Sequence, residues 1–162
     1  MRYPGVMQQP RSDDPAVYAD DLRIGDTFQL GSYLVTREDL LGFAHQWDPQ
    51  IFHLDEDVAT EGHFGGLIAS GLHTLSIYQR LAVLAVFQNW QVIAGRSFRE
   101  AKFLRPVRAE DTLTGTVRVE GVVPDARERA LVTTSAELTN GAGRPVLTLL
   151  VDAYVMTRSG RA

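Results

Sequence analysis

The chain contains no cysteine. That excludes disulfides, a thiolate nucleophile and any Cys-ligated metal centre. Basic residues are outnumbered, 16 Lys and Arg against 20 Asp and Glu, which leaves a net charge of −4. A nucleic-acid footprint needs a basic face, so no nucleic-acid partner is expected. No run of about 18 apolar residues is present to span a bilayer. Met1-Arg2-Tyr3-Pro4-Gly5 opens no apolar stretch of the kind a secretory leader carries. The expectation is therefore a soluble cytoplasmic protein with no membrane partner. Histidines are few, and positions 45, 53, 63 and 73 are too scattered to read as a metal site.

At 162 residues and 44% apolar content the chain is long enough for one domain with a real core. Pro4, Gly5, Pro10 and Pro15 forbid a regular helix near the start, so residues 1–19 are expected to form an extended arm and residues 20–162 the domain. Thr27-Phe28-Gln29-Leu30 and Tyr33-Leu34-Val35 read as short strand pieces around Gly31. Thr36 can cap a helix whose first turn carries Glu38 and Asp39, where the dipole favours acids. Pro49 disfavours helix at Asp48, which places that acid just past the helix end. Residues 49–70 read as loop with one helical turn near Glu56–Thr60.

Gly71 to about Val86 is the clearest helix, with Leu72, Leu75, Tyr78, Leu81 and Ala82 at helical spacing. Leu81 to Phe87 is apolar all round, which predicts burial on most sides. Beyond Trp90 the period changes to that of strands. Ser97–Phe103, Leu113–Val119 and Val132–Leu138 alternate, Gly121–Arg127 reads as a turn, Asn140-Gly141 marks a hairpin, and Val146–Met156 reads as a central strand. About four antiparallel strands after one long helix predict an α+β fold with a sheet curled around that helix.

Two stretches carry chemistry. Asp48-Pro49-Gln50-Ile51-Phe52-His53 sets an acid five residues before an imidazole across a proline turn. Phe64-Gly65-Gly66-Leu67-Ile68-Ala69-Ser70-Gly71-Leu72-His73 is a glycine-rich loop running into the long helix. Taken singly, each has an ordinary reading: Asp48 as a turn cap, His53 as a core or surface histidine, Gly71 as a close-packing position. Together they are an acid/base pair beside a helix N-terminus. Ser70 and His73 tie down the helix start, and His45 and His63 are surface or supporting positions. Arg96, Arg99, Lys102 and Arg105 are either phosphate contacts or an ordinary charged strand edge.

Asp48 to Asp55 resembles the hydratase motif of the MaoC-like (R)-specific enoyl-CoA hydratases and dehydratases. Phe64 to Thr74 is similar to the loop and helix start that follow it there, and Phe103-Leu104-Arg105-Pro106-Val107 before Asp111-Thr112-Leu113 to their strand-to-turn signature. The similarity runs in consistent order over roughly residues 20–157. It implies a hotdog fold, an antiparallel sheet wrapped around a long central helix, in a homodimer or higher homo-oligomer. It implies reversible hydration of a trans-2-enoyl-CoA, with the CoA thioester as substrate and no separate cofactor. Asp48 and His53 match the family's catalytic pair and Gly71 its carbonyl-binding N–H; Gln50, Phe64, Gly66, Ser70 and His73 are the expected substrate-binding residues. Where the family motif has Asn-Pro, this chain has Gln50-Ile51.

The chemistry suits those residue types. Adding water to an α,β-unsaturated thioester requires a proton lost from water, a proton gained at Cα, and donors for the enolate oxygen. A carboxylate and an imidazole can hold one water and manage both transfers, and an imidazole ordinarily titrates near neutral pH. A backbone N–H at a helix start is a preorganised donor, and glycine permits close approach. Two other readings remain open at this point: an acyl-CoA thioesterase, and a non-catalytic acyl-CoA binding subunit.

Overall fold

A computed structural model describes residues 15–160; residues 1–14 of the expected arm lie outside the described residues. From Val17 onward the chain is packed. Val17 bridges Trp90, donating to Asn89 O and accepting from Gln91 N, both at 2.8 Å. Tyr18 and Ala19 are buried.

Strand β1 (Thr27–Leu34) is continuous, where the sequence suggested two pieces. A bulge between Gln29 and Ser32, with Gly31 at φ +77°, absorbs the irregularity and the ladder to β3 resumes. Helix α1 (Arg37–Trp47) begins in the expected way. Thr36 accepts from Asp39 N and Asp39 accepts from Thr36 N, each at 3.1 Å, a reciprocal capping box. It ends at Asp48, one residue before Pro49. Two short helices follow: α2 (Ile51–Leu54), not anticipated, and α3 (Glu56–Glu61), where a helical turn was expected.

Helix α4 (Gly71–Ala82) turns its buried stripe, including His73, Ile77, Tyr78 and Leu81, toward the sheet. It runs into a π-helical turn, Val83–Phe87. Here the expectation of burial on most sides is overturned. Leu81, Ala82 and Val86 are buried, but Val83 and Leu84 keep 37% and 36% exposure. One chain has a single sheet to lay against this helix, so only one side is covered; apolar composition does not say which side.

The sheet is antiparallel, in the order β1-β3-β4-β5-β2, with β2 at Val92–Phe103, β3 at Thr112–Asp125, β4 at Arg129–Thr139 and β5 at Pro145–Met156. Strand β3 continues through Gly121 to Asp125, a stretch read from sequence as a turn. A register shift between Val119 and Gly121 takes up one residue, and Val122, Val123 and Pro124 pair with Val132, Leu131 and Ala130. The actual turn is confined to residues 126–128, with Glu128 at φ 54°. Along β4 burial alternates strictly, and Ala130, Val132, Ala136 and Leu138 face the core with Leu113, Val117 and Val119 of β3. Gly115 sits among them because a Cβ there would lie 2.5 Å from Leu138 Cδ2. This is the α+β hotdog architecture. Among the described residues no helix is long and apolar enough to cross a membrane.

Candidate active site

The proline turn aims the acid. Asp48 N still bonds Ala44 O at 3.0 Å, while Asp48 O accepts from Gln50 N at 2.8 Å, so the chain reverses tightly into α2. One turn on, His53 lies at 5% exposure. Its Nδ1 is 2.9 Å from Ile68 O. A carbonyl only accepts, so Nδ1 carries a proton, and in the neutral ring Nε2 presents a lone pair. That Nε2 stands 3.6 Å from Asp48 Oδ2.

The other carboxylate oxygen, Oδ1, accepts from Gln50 Nε2 at 2.8 Å. The Ser70 hydroxyl first, and then the Gln50 amide, hold the Asp48 carboxyl below its ordinary pKa; burial opposes them and the neighbouring His53 adds a smaller lowering. Asp48 is thus an ionised base at neutral pH. Ser70, 2% exposed, also caps α4 by accepting from Leu72 N at 3.1 Å. One serine therefore ties the helix start to the acid.

Gly71 opens α4, and no acceptor within the chain takes its N–H among the described residues. This is one of the donors any helix leaves unpaired in its first turn, at the positive end of a 12-residue helix. The ring of Phe103, at the end of edge strand β2, packs directly over it: a Cβ on Gly71 would be 3.1 Å from two of the ring carbons.

Asp48, Gln50, His53, Ser70 and Gly71 are therefore assembled at one place. The other three predicted residues make different contacts. Phe64 O accepts a short hydrogen bond from Arg108 Nη2. Gly66, at φ +145°, has Arg108 Nη1 3.2 Å from where its Cβ would stand. His73 is stacked on Phe43, with centroids 4.7 Å apart, and its buried Nδ1 has no hydrogen-bond partner among the described residues. Burial lowers its pKa, against an opposing effect of Asp39. No hydrogen bond joins Phe64, Gly66 or His73 to Asp48 or His53 among the described residues.

Two participants carried no readable sequence signal. Ile68 acts through its backbone oxygen, and Arg108 stands 41 residues beyond the Leu67 carbonyl it reaches. The four cations considered for phosphate contacts have varied settings. Arg99 is engaged by Asp152 at 2.7 and 2.9 Å, Arg105 donates to Pro145 O, and Arg96 lies over the Tyr154 ring. Among the described residues no cluster of three or more His, Cys, Asp and Glu is disposed to hold a metal.

Two cavities adjoin the fold. One of about 320 Å³ lies among Ile51, Phe52, Val58, Ala59 and Phe64, and the Phe52 ring meets that of His53 at 4.3 Å between centroids. The larger, about 520 Å³, lies on the polar side of the sheet among Lys102, Thr116, Arg118 and Glu137, and neither cavity is lined by Asp48 or His53 themselves.

An antiparallel sheet laid on one long helix, with an acid and an imidazole beside that helix's start, defines a hotdog domain with a candidate acid/base site. Residues 21–142 match the MaoC like domain, and the chain belongs to that family. It is 36% identical over 114 residues to the uncharacterized protein YdeM of Bacillus subtilis strain 168, covering 70% of this chain and 81% of that one. A MaoC-like dehydratase from Rhodospirillum rubrum superposes with a TM-score of 0.80 at 32% identity, over 88% of this chain and 99% of that one. The R-hydratase PhaJ1 from Pseudomonas aeruginosa shares the fold, with a TM-score of 0.70 at 21% identity over 88% of each chain.

Proposed function

We propose that the protein is a hydro-lyase that reversibly hydrates a trans-2-enoyl-CoA to a 3-hydroxyacyl-CoA. The observation that carries this is the pairing of two proton acceptors, Asp48 Oδ2 and His53 Nε2, 3.6 Å apart. Neither can donate to the other in these protonation states, so a water molecule between them satisfies both. As its oxygen bonds Cβ, one of the pair takes its proton. The Cα=Cβ electron pair moves onto the thioester oxygen, held by the Gly71 N–H. The pair then returns a proton to Cα as the enolate electrons move back to it and the carbonyl re-forms. The reaction as written balances without a resident cofactor. Gln50 in this scheme serves the acid, in the place where the family motif has asparagine.

The active form is proposed to be a homodimer. Strand β2 is one of the two edges of the sheet, the other being β1, and exposes Val92, Ile93, Phe98 and Phe103, with Leu72, Val83 and Leu84 exposed on the helix. An edge of this length with apolar side chains calls for a partner. Phe103 joins that edge to Gly71, so pairing there brings the partner close to the acyl site.

Incubation with crotonyl-CoA tests the reading. Loss of enoyl absorbance without free thiol is the expected result. Release of thiol identifies a thioesterase instead, and neither signal leaves an acyl-CoA binding subunit.

A further inference from the structure

Arg108 reaches across the fold to the loop before α4. Among the described residues it has no carboxylate partner, and its guanidinium is directed to main-chain carbonyls, Phe64 O and Leu67 O, the latter at 3.5 Å. The loop is built to receive it. Gly65 and Gly66 both have positive φ, +62° and +145°, and any side chain at Gly66 would press on Nη1. Arg108 is itself anchored, its backbone N–H donating to Asp111 Oδ2 at 2.8 Å, and the adjoining Val107 O accepts from Ala69 N at 2.8 Å. The segment between these two attachments contains Ile68, whose carbonyl fixes His53, and it leads directly to Ser70, which supports Asp48.

We propose that Arg108 is a positioning residue for the acid/base pair: by holding the 64–67 carbonyls it sets the Ile68 oxygen that selects the Nδ1–H tautomer of His53. Its catalytic consequence rests on the hydratase reading above; the link to the His53 tautomer does not. The planar fork matters, because it reaches two carbonyls at once, whereas a lysine ammonium keeps the charge without the fork. Gly66 then serves to leave room for a guanidinium, and Gly65 to make the left-handed turn that leads to it.

The test is ¹⁵N–¹H correlation of the histidine ring nitrogens in the full-length protein, with the His53 signals assigned by their loss in His53→Gln. The native protein is expected to show the Nδ1–H form, and Arg108→Ala a mixture of tautomers. Small displacements of a catalytic group cost up to about 100-fold. On crotonyl-CoA, kcat is therefore expected to fall about 10- to 100-fold with KM changed by less than about threefold. Should Arg108→Ala not fold, Arg108→Lys is read in the same way, with a smaller effect of the same kind. An unchanged His53 tautomer in a folded variant overturns the proposal, and a raised KM with that tautomer intact shows instead that Arg108 meets the substrate. If the native protein does not hydrate crotonyl-CoA but the tautomer still shifts, the positioning link stands and the hydratase reading fails.

Discussion

Gly71→Ala separates packing from chemistry. The added methyl would meet Phe103 Cε2 and Cζ at 3.1 Å and Cδ2 at 3.2 Å, so the ring must yield by a few tenths of an ångström. It can do so, because Phe103 is 50% exposed on an edge strand. Gly71 has no left-handed φ, so alanine adds no backbone strain. Replacing glycine by alanine at a compatible position stabilises by about 0.4–1 kcal/mol through the unfolded chain. That gain and the modest cost of moving one exposed ring are of similar size, so Tm is expected to stay within about 4 °C of the native value. Activity is another matter. The N–H remains, but under the proposed reaction the methyl and the displaced ring close the side from which a thioester oxygen would approach. Removal of an oxyanion donor costs about 10²–10³-fold, and obstruction of one is expected to lower crotonyl-CoA hydration by about 100-fold, at the low end of that range. Thermal melts and initial rates on the same samples decide it. A native rate would show that no substrate oxygen comes to Gly71. A fall in Tm of more than about 8 °C, on the scale of several kcal/mol, would show that Phe103 cannot yield and that the packing argument is wrong.

Two further outcomes follow from other parts of the molecule. Asp152, 6% exposed, is bound by Arg99, Thr133 and Ser97, and the Arg99 guanidinium first among these holds its pKa well below the usual carboxylate range. Because the folded pKa is the lower one, its stabilisation is present above the unfolded value near 4 and is lost as pH falls below it. Asp152→Asn should therefore lower Tm by about 3–8 °C at pH 7 and flatten the acid limb of a Tm–pH curve; an acid limb identical to the native one would refute this. Phe98→Glu, at a 52% exposed position on β2, should convert a species near twice the chain's 17.9 kDa into monomer by sedimentation, whereas a native protein already monomeric at micromolar concentration rules out the edge-paired dimer.

What could be read from the chain and what could not divides along physical lines. Thr36 with Glu38 and Asp39 announced a helix start because capping is local, and the structure closes that box within four residues. Pro49 fixed the end of α1 for the same reason. The Asp48–His53 pairing was legible because one turn of α2 spans it, although α2 itself escaped notice between a proline and an aspartate cap. The supports of the pair were not legible. Ile68 O and Ser70 Oγ arrive from 15 and 22 residues away, one of them a main-chain atom that no side-chain pattern encodes. Arg108 carries no comparable signal, because strand charge is visible in sequence and the direction of a guanidinium is not. Leu81–Phe87 misled because apolar character records that a face avoids water without recording which chain covers it.

The central claim is that Asp48 is the base acting on water beside His53. Its most direct test is Asp48→Asn, which keeps size and one acceptor oxygen for Gln50 but removes the charge. With circular dichroism confirming the fold, kcat for crotonyl-CoA hydration is expected to fall by at least about 100-fold, the range for a general acid–base group. A folded Asp48→Asn protein that keeps its rate within about tenfold of native would contradict the assignment of Asp48 as the base.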